Sequence, residues 1–183
     1  MKISSSELLE NLKNITLDNI AFVENRLTRS DADLNFRISD ESWSILECIE
    51  HLNRYGDFYI PEIESRIVSS KKTSSFSFTS GILGNYFAKS MYPKVKMNKM
   101  KTFKSMNPIH SQLNKDVLTE FLEQQNKLLI LLEKAKNVDL NKTKTNISIS
   151  KLIKLRLGDT FRFVIYHNLR HIEQVKTVLE NIR

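Results

Sequence analysis

The fold of this chain is decided by residues 157–175, which read LGDTFRFVIYHNLRHIEQV. Apolar side chains recur there three and four positions apart, as the 3.6-residue period of an amphipathic helix requires. The pattern therefore predicts a helix over residues 158–182, with one face buried. Its apolar stripe comprises Phe161, Val164, Ile165, Ile172, Val175 and Leu179.

Three further segments carry the same period, over residues 5–29, 44–63 and 111–137. A Ser-x-x-Glu capping box opens the first at Ser4 and the second at Ser44. Pro61 is expected to kink or restart the second helix, because proline lacks the backbone donor and clashes with the preceding turn. Four amphipathic helices predict an all-α fold, a four-helix bundle with a long connection between its second and third helices.

Composition agrees with a helical protein of ordinary globular character. The chain has 183 residues, of which 40% are hydrophobic and 27% charged. With 4 Gly and 3 Pro, it lacks the turn residues that an all-β fold needs. The length fits a single domain over residues 1–183. Cys48 is the one cysteine, which excludes an intramolecular disulfide and a cysteine-rich metal cluster.

The sequence predicts a cytoplasmic protein without a membrane partner. Its first residues lack the apolar core of a secretory signal and include an early acid, Glu7. The longest apolar run, over residues 128–132, is far too short to span a bilayer.

Positive charge is concentrated in the connection at residues 68–110, a long basic loop with one short helix expected around Ile82–Met91. No acidic residue occurs between Glu64 and Asp116, and the lysines of the connection are Lys71, Lys72, Lys89, Lys94, Lys96, Lys99, Lys101 and Lys104. Aromatic residues alternate with these lysines, which is also a pattern of single-stranded nucleic-acid binding. A non-enzymatic binding module is therefore the alternative hypothesis. Lysines outside and aromatics inside would also suit a loop that covers the bundle, and a nucleic-acid partner is not expected.

Three histidines are candidate metal ligands. His167 and His171 are four residues apart on the last helix, at the edge of its apolar stripe, where helical bundles build metal sites. His51 lies off the main apolar face of the second helix, also at a seam between helices. Spacing alone equally allows packed histidines that bind nothing. His110 is interpreted as a capping or surface residue.

Two motifs resemble the DinB/YfiT-like superfamily. Residues 43–52, WSILECIEHL, are similar to its second-helix signature. Residues 157–159 together with HNLRHIEQ at 167–174 are similar to its last-helix signature. The helix lengths and the long second connection also agree, so the resemblance covers nearly the whole chain.

The resemblance implies a divalent metal held by His51, His167 and His171. It further implies an enzyme acting on a small molecule, with thiol-dependent S-transfer to an electrophile slightly favoured over metal-dependent hydrolysis of an ester or amide. A low-molecular-weight thiol would then be the cosubstrate, and homodimers are frequent in the family. Three imidazoles accept Zn, Ni, Fe, Co or Mn, so the sequence does not identify the metal.

Three neighbouring residues are candidates for supporting the metal ligands. Gln174 lies one turn beyond His171. Asn168 falls inside the apolar stripe, where its amide needs a hydrogen-bond partner. Glu47 either orients a ligand or caps its helix. Asp159 is expected to cap the last helix. The general base remains unassigned.

Overall fold

The computed structural model describes residues 1–94 and 101–182. Lys96 and Lys99 of the basic connection lie outside these ranges. The described chain is mostly helical, as predicted. Its α-helices are α1 (Ser5–Glu24), α2 (Asp31–Leu34), α3 (Ile45–Ser69), α4 (Ile82–Met91), α5 (Asp116–Lys134) and α6 (Leu157–Leu179).

The helix boundaries follow local chemistry. Ser4 and Ser44 accept hydrogen bonds from the backbone three residues later, and Glu47 completes the second capping box. Helix α3 runs through Pro61 as one continuous helix, so of the two expected effects of this proline a restart does not occur. Helix α5 begins at Asp116 rather than at residue 111. The Asn114 side chain accepts a hydrogen bond from the Asp116 backbone there, which favours a turn over a further helical residue.

The four long helices are α1, α3, α5 and α6, and each packs against two of the others. Helix α3 lies against α5 and α6, and α1 contacts the same two helices. Buried apolar side chains form two clusters. The first contains Leu12, Ile63, Leu128 and Phe161, and the second contains Val23, Ile49, Phe121 and Val175.

A buried polar level separates the two apolar clusters. Each long helix passes from one cluster to the other through it. The buried polar residues at this level are Thr16 and Asn19 on α1, His51 and Asn53 on α3, Gln124 and Gln125 on α5, and His167, Asn168 and His171 on α6. The histidines therefore lie at one height in the fold although 116 residues separate the first two.

Two small antiparallel sheets accompany the helices. Strands β1 (Lys2–Ser4) and β2 (Ser77–Thr79) pair with Ile3 opposite Phe78. Strands β3 (Lys144–Ile147) and β4 (Ser150–Arg156) form a hairpin. Three-residue strands contain too little alternation to be recognised from sequence, because their stability comes from pairing.

The expected short helix is confirmed as α4, and it packs against α6. A buried network joins the two: Asp159 accepts hydrogen bonds from the Ser80 hydroxyl and, at 2.8 Å, the Gly81 backbone, and pairs with Arg162 at 3.2 Å. The prediction that Asp159 caps α6 is therefore wrong. The helix begins two residues earlier, at Leu157, and no side chain caps it.

Candidate metal centre

Three buried histidine side chains meet at the polar level. His51 comes from α3, and His167 and His171 come from successive turns of α6. The Nε2 atom of His167 lies 3.2 Å from Nε2 of His51 and 3.1 Å from Nε2 of His171. One ligand atom from each residue falls within 4.8 Å of the other two. The i, i+4 spacing places the α6 pair on one face, and the packing of α3 on α6 supplies the third ring.

Hydrogen bonds at the far nitrogens orient two of the rings. Nδ1 of His51 lies 2.6 Å from the backbone oxygen of Met106, and Nδ1 of His171 lies 3.0 Å from Oε1 of Gln174. Both oxygens can only accept, so each Nδ1 carries the proton. Each Nε2 is then left with a free lone pair directed towards His167.

Burial keeps the three imidazoles neutral. It is the main cause that lowers the pKa of His51 to about 4. Burial first, and then the neighbouring histidines, hold the pKa of His167 and His171 well below the usual histidine range. Neutral imidazole is the form that ligates metals, so the cluster is ready to bind at neutral pH.

Aromatic rings enclose the histidines. The Trp43 ring lies 4.7 Å from the His51 ring and is stacked at 5.6 Å over His171, measured between centroids. Tyr55 contacts His51 and His167 at 5.0 and 4.7 Å, and Phe163 is stacked on His167 at 6.0 Å. These rings keep much of the bulk water away from the nitrogens.

The short 3₁₀ turn Lys104–Met106 presents the carbonyl that orients His51. Arg54 donates to the backbone oxygens of Ser105 and Asn107, and Trp43 donates to the Asn107 side chain at 3.1 Å. Sequence reasoning missed this support. Its acceptor is a backbone atom, which carries no residue-type signal.

The other predicted supporting residues have different partners. Gln174 contacts His171 as described. Asn168 donates to Oε1 of Gln125 on α5 at 3.0 Å. Glu47 is fully buried and accepts hydrogen bonds from Arg37, Ser44 and the backbone of His110, so its partners lie at the start of α3. His110 is exposed with a positive φ of 62°, outside the histidine cluster.

A cavity of about 860 Å³ opens beside the three histidines. Its walls come from α3, α4, α6, the β3–β4 hairpin and the segment around Phe103. This volume lies within the range typical of small-molecule sites. Arg170 is half-buried and lines the cavity.

The aromatic residues of the basic connection lie in different environments. Phe78 is fully buried, whereas Phe76 is 90% exposed. Tyr86, Phe87 and Phe103 line the cavity. The part of the connection that the structure describes therefore builds a wall of the cavity as well as an outer surface.

The residues present fit a divalent metal ion. Three neutral imidazole nitrogens from two helices are the donor set of an open site, which leaves coordination positions for a substrate or water. The orienting hydrogen bonds on His51 and His171 are those that usually accompany metal-ligating histidines.

Comparison with known proteins identifies one family. The DinB superfamily matches the chain over residues 8–175. Searches among curated proteins and among solved structures gave no match. Within residues 1–94 and 101–182, no helix has the length and apolar character that crossing a membrane requires.

Proposed function

The chain belongs to the DinB superfamily, and on that basis we propose that it is a metal-dependent enzyme acting on a small molecule. His51, His167 and His171 bind one divalent metal ion through their Nε2 atoms. The favoured reaction is transfer of a low-molecular-weight thiol to an electrophile held in the adjacent cavity.

One observation carries the metal proposal: the convergence of imidazole lone pairs. Nε2 of His51 and Nε2 of His171 are acceptors, because both Nδ1 protons are donated elsewhere. Crowding these acceptors around His167 Nε2 at 3.1–3.2 Å in a buried site is unfavourable unless a cation or a shared proton lies between them. The low pKa values argue against an additional proton on the cluster. The single proton of neutral His167, if it sat on Nε2, would be shared by two acceptors and would satisfy neither as fully as a metal ion.

The residues around the histidines each have a task in this proposal. A divalent metal here would lower the pKa of a bound thiol or water, which supplies the nucleophile. Met106 and Gln174 hold the ligand rings in place, and Trp43 and Phe163 limit water. Burial raises the pKa of Tyr55, which keeps its hydroxyl protonated as a hydrogen-bond donor in the cavity.

The composition of the cavity wall supports S-transfer over hydrolysis. Among the described lining residues, Glu41 is the one carboxylate, and it is exposed. Hydrolysis of an ester or amide usually relies on a positioned acid or base to protonate the leaving group. Attack by an activated thiol depends less on such an acid or base. Hydrolysis of an ester or amide is therefore the second candidate reaction.

Metal analysis of the untagged chain tests the proposal. We expect about one metal ion per wild-type chain, after zinc or nickel is supplied, and loss of the metal in His51→Ala and His171→Ala. His110→Ala is the matched control, since this histidine lies outside the cluster. Wild-type protein that takes up no metal would overturn the proposal. Two assays of the metal-loaded protein separate the two reactions. Low-molecular-weight thiols with chlorodinitrobenzene report S-transfer, and p-nitrophenyl acetate without thiol reports hydrolysis.

Two further parts of the proposal concern the chain as a whole. Family resemblance favours a homodimer, which sedimentation velocity would detect as twice the 21.4 kDa chain mass. A cytoplasmic location is the second part, and microscopy of a tagged chain tests it.

A further inference from the structure

We propose that the substrate of this site is an aromatic anion, a planar ring that carries a carboxylate or a comparable acidic group. The inference rests on the proposed function, because it names the electrophile class for the cavity beside the histidines. The cavity walls are rich in aromatic rings and carry more positive than negative side chains.

Aromatic rings dominate those walls. They come from five separate stretches of chain, so no single helix pattern explains their meeting. The seven aromatic lining residues are Trp43, Tyr55, Tyr59, Tyr86, Phe87, Phe103 and Phe163.

The rings form a continuous path from the α4 wall to the histidines. Phe87 meets Phe163 edge-to-face at 6.4 Å, and Phe163 is stacked on His167 at 6.0 Å. Tyr55 then meets His167 edge-to-face at 4.7 Å. A guest ring that enters this path gains further edge or stacking contacts, each worth roughly a 2- to 10-fold increase in affinity over an aliphatic group of equal size.

Two of the lining rings are largely exposed. Tyr86 is 67% exposed and Phe103 is 54% exposed. Exposed aromatic surface that is continuous with a cavity marks a ligand-binding groove. A bound ring would cover part of this apolar surface.

The charges on the wall favour an anion. Arg170 and Lys101 line the cavity, against the one described carboxylate, Glu41. The three histidines are neutral, so a bound divalent ion would add its full positive charge beside Arg170. Positive side chains on the wall raise the local electrostatic potential, which attracts an acidic ligand.

The single tryptophan of the chain supplies a specific reporter of binding. Trp43 lines the cavity and packs on His51 and His171. Its fluorescence is titrated with phenylacetate, with cyclohexylacetate and with 2-phenylethanol, on protein as purified and after chelator treatment. The second probe keeps the charge and loses the aromatic ring, and the third keeps the ring and loses the charge.

We expect phenylacetate to bind about tenfold more tightly than either of the other probes. Phe87→Leu and Phe163→Leu should reduce the preference for phenylacetate over cyclohexylacetate, because leucine preserves an apolar wall but not the ring. Phe76→Leu is the matched control, since Phe76 is 90% exposed and is not among the lining residues. Arg170→Gln and Lys101→Gln should reduce the preference over 2-phenylethanol.

The outcomes separate this inference from the metal proposal. Equal affinity for phenylacetate and cyclohexylacetate would overturn the aromatic requirement, and equal affinity for phenylacetate and 2-phenylethanol would overturn the anionic one. A wild-type chain that binds metal but none of the probes would overturn the inference and leave the metal proposal standing. Selective phenylacetate binding by a chain that takes up no metal would sink the metal proposal and keep the cavity assignment.

Discussion

At the scale of single residues, the candidate site depends on which imidazole nitrogen carries a proton. The Met106 carbonyl and the Gln174 side chain both hold a proton at Nδ1, on His51 and His171 respectively. Each bond fixes the orientation of its ring and exposes the other nitrogen to the cluster. These two partners should therefore control metal affinity without touching the metal.

Changing Gln174 should alter metal affinity in a direction set by the charge of the replacement. Gln174→Leu removes the acceptor for His171 and should weaken binding by about 10- to 100-fold. Gln174→Glu places a carboxylate there, which makes the imidazole a better donor to the metal and should restore or strengthen binding. Competition with a chelator of known affinity measures both. Gln112→Leu is the control, and equal affinity in the Leu and wild-type chains would contradict the role of Gln174.

Acidification should destabilise the metal-free chain between pH 7 and pH 5. Burial lowers the pKa of folded His51 to about 4, whereas an unfolded histidine titrates near ~6.5. The unfolded chain therefore binds protons first, and stability that is present above pH ~6.5 is lost as the pH falls towards the folded pKa. His51 alone should account for about 2 kcal/mol over this interval.

Urea unfolding of chelator-treated protein at the two pH values measures that loss. His51→Gln should lose less stability than the wild-type chain over the same interval. An equal loss in both proteins would show that His51 does not titrate as described.

At the scale of elements, the close contact between α4 and α6 shapes the cavity wall. Helix α4 carries Tyr86 and Phe87, and the buried pair of Asp159 and Arg162 anchors the start of this helix to α6. A side chain added at Gly84 would have its Cβ only 2.5 Å from Cβ and Cγ of Asp159. Gly84 is therefore needed for the approach of the two helices.

Gly84→Ala should destabilise the chain by about 1–3 kcal/mol, because overlap with buried Asp159 forces the helices apart. This cost outweighs the roughly 1 kcal/mol by which alanine favours a helix over glycine. Gly81→Ala is the matched control, since its Cβ would meet Asp159 at an ordinary 3.5 Å. Urea unfolding of both variants tests this prediction. Equal stabilities would mean that α4 moves freely on α6.

At the scale of the whole molecule, the polar level between the two apolar clusters brings the four long helices into register. Gln125 on α5 and Asn168 on α6 are 3% and 4% exposed and hydrogen-bonded to each other. A vertical shift of either helix would bury these amides against apolar side chains. Because that arrangement is costly, the polar level also fixes the height at which His51 meets the α6 pair.

A double-mutant cycle at Gln125 and Asn168 should reveal this coupling. Asn168→Leu alone leaves the Gln125 side chain without this donor and should cost about 1–3 kcal/mol. Adding Gln125→Leu should recover a substantial part of the lost free energy of unfolding, because two apolar side chains then replace the hydrogen-bonded pair. Chemical unfolding of the four proteins gives the coupling free energy, and additive effects would argue against the pair.

Metal binding should stabilise the whole fold, because its proposed ligands link α3 to α6. Metal in 100-fold excess over its Kd adds about 2.7 kcal/mol. For a chain of this size that corresponds to a rise of roughly 5–10 °C in Tm. Thermal unfolding with and without zinc should show the shift in wild type and in His110→Ala but not in His171→Ala. A shift that persists in His171→Ala would place the binding elsewhere.

Sequence by itself determined the features that depend on neighbouring residues. The period of apolar side chains predicted the long helices, and the Ser44–Glu47 pair predicted a capping box. The i, i+4 spacing placed His167 and His171 on one face. These are local properties, because a helix repeats every 3.6 residues and its caps form within one turn.

Only the tertiary structure decided how distant segments meet. His51 was linked to the other histidines by family resemblance, and its distance from them came from the packing of α3 on α6. Three other contacts likewise join segments 40 to 80 residues apart. They are the bond of the Met106 carbonyl to His51, the pairing of Asn168 with Gln125, and the bonds that Asp159 accepts from the start of α4. No local pattern encodes such contacts, because their free energy comes from desolvation and hydrogen bonding that exist only once the helices have packed.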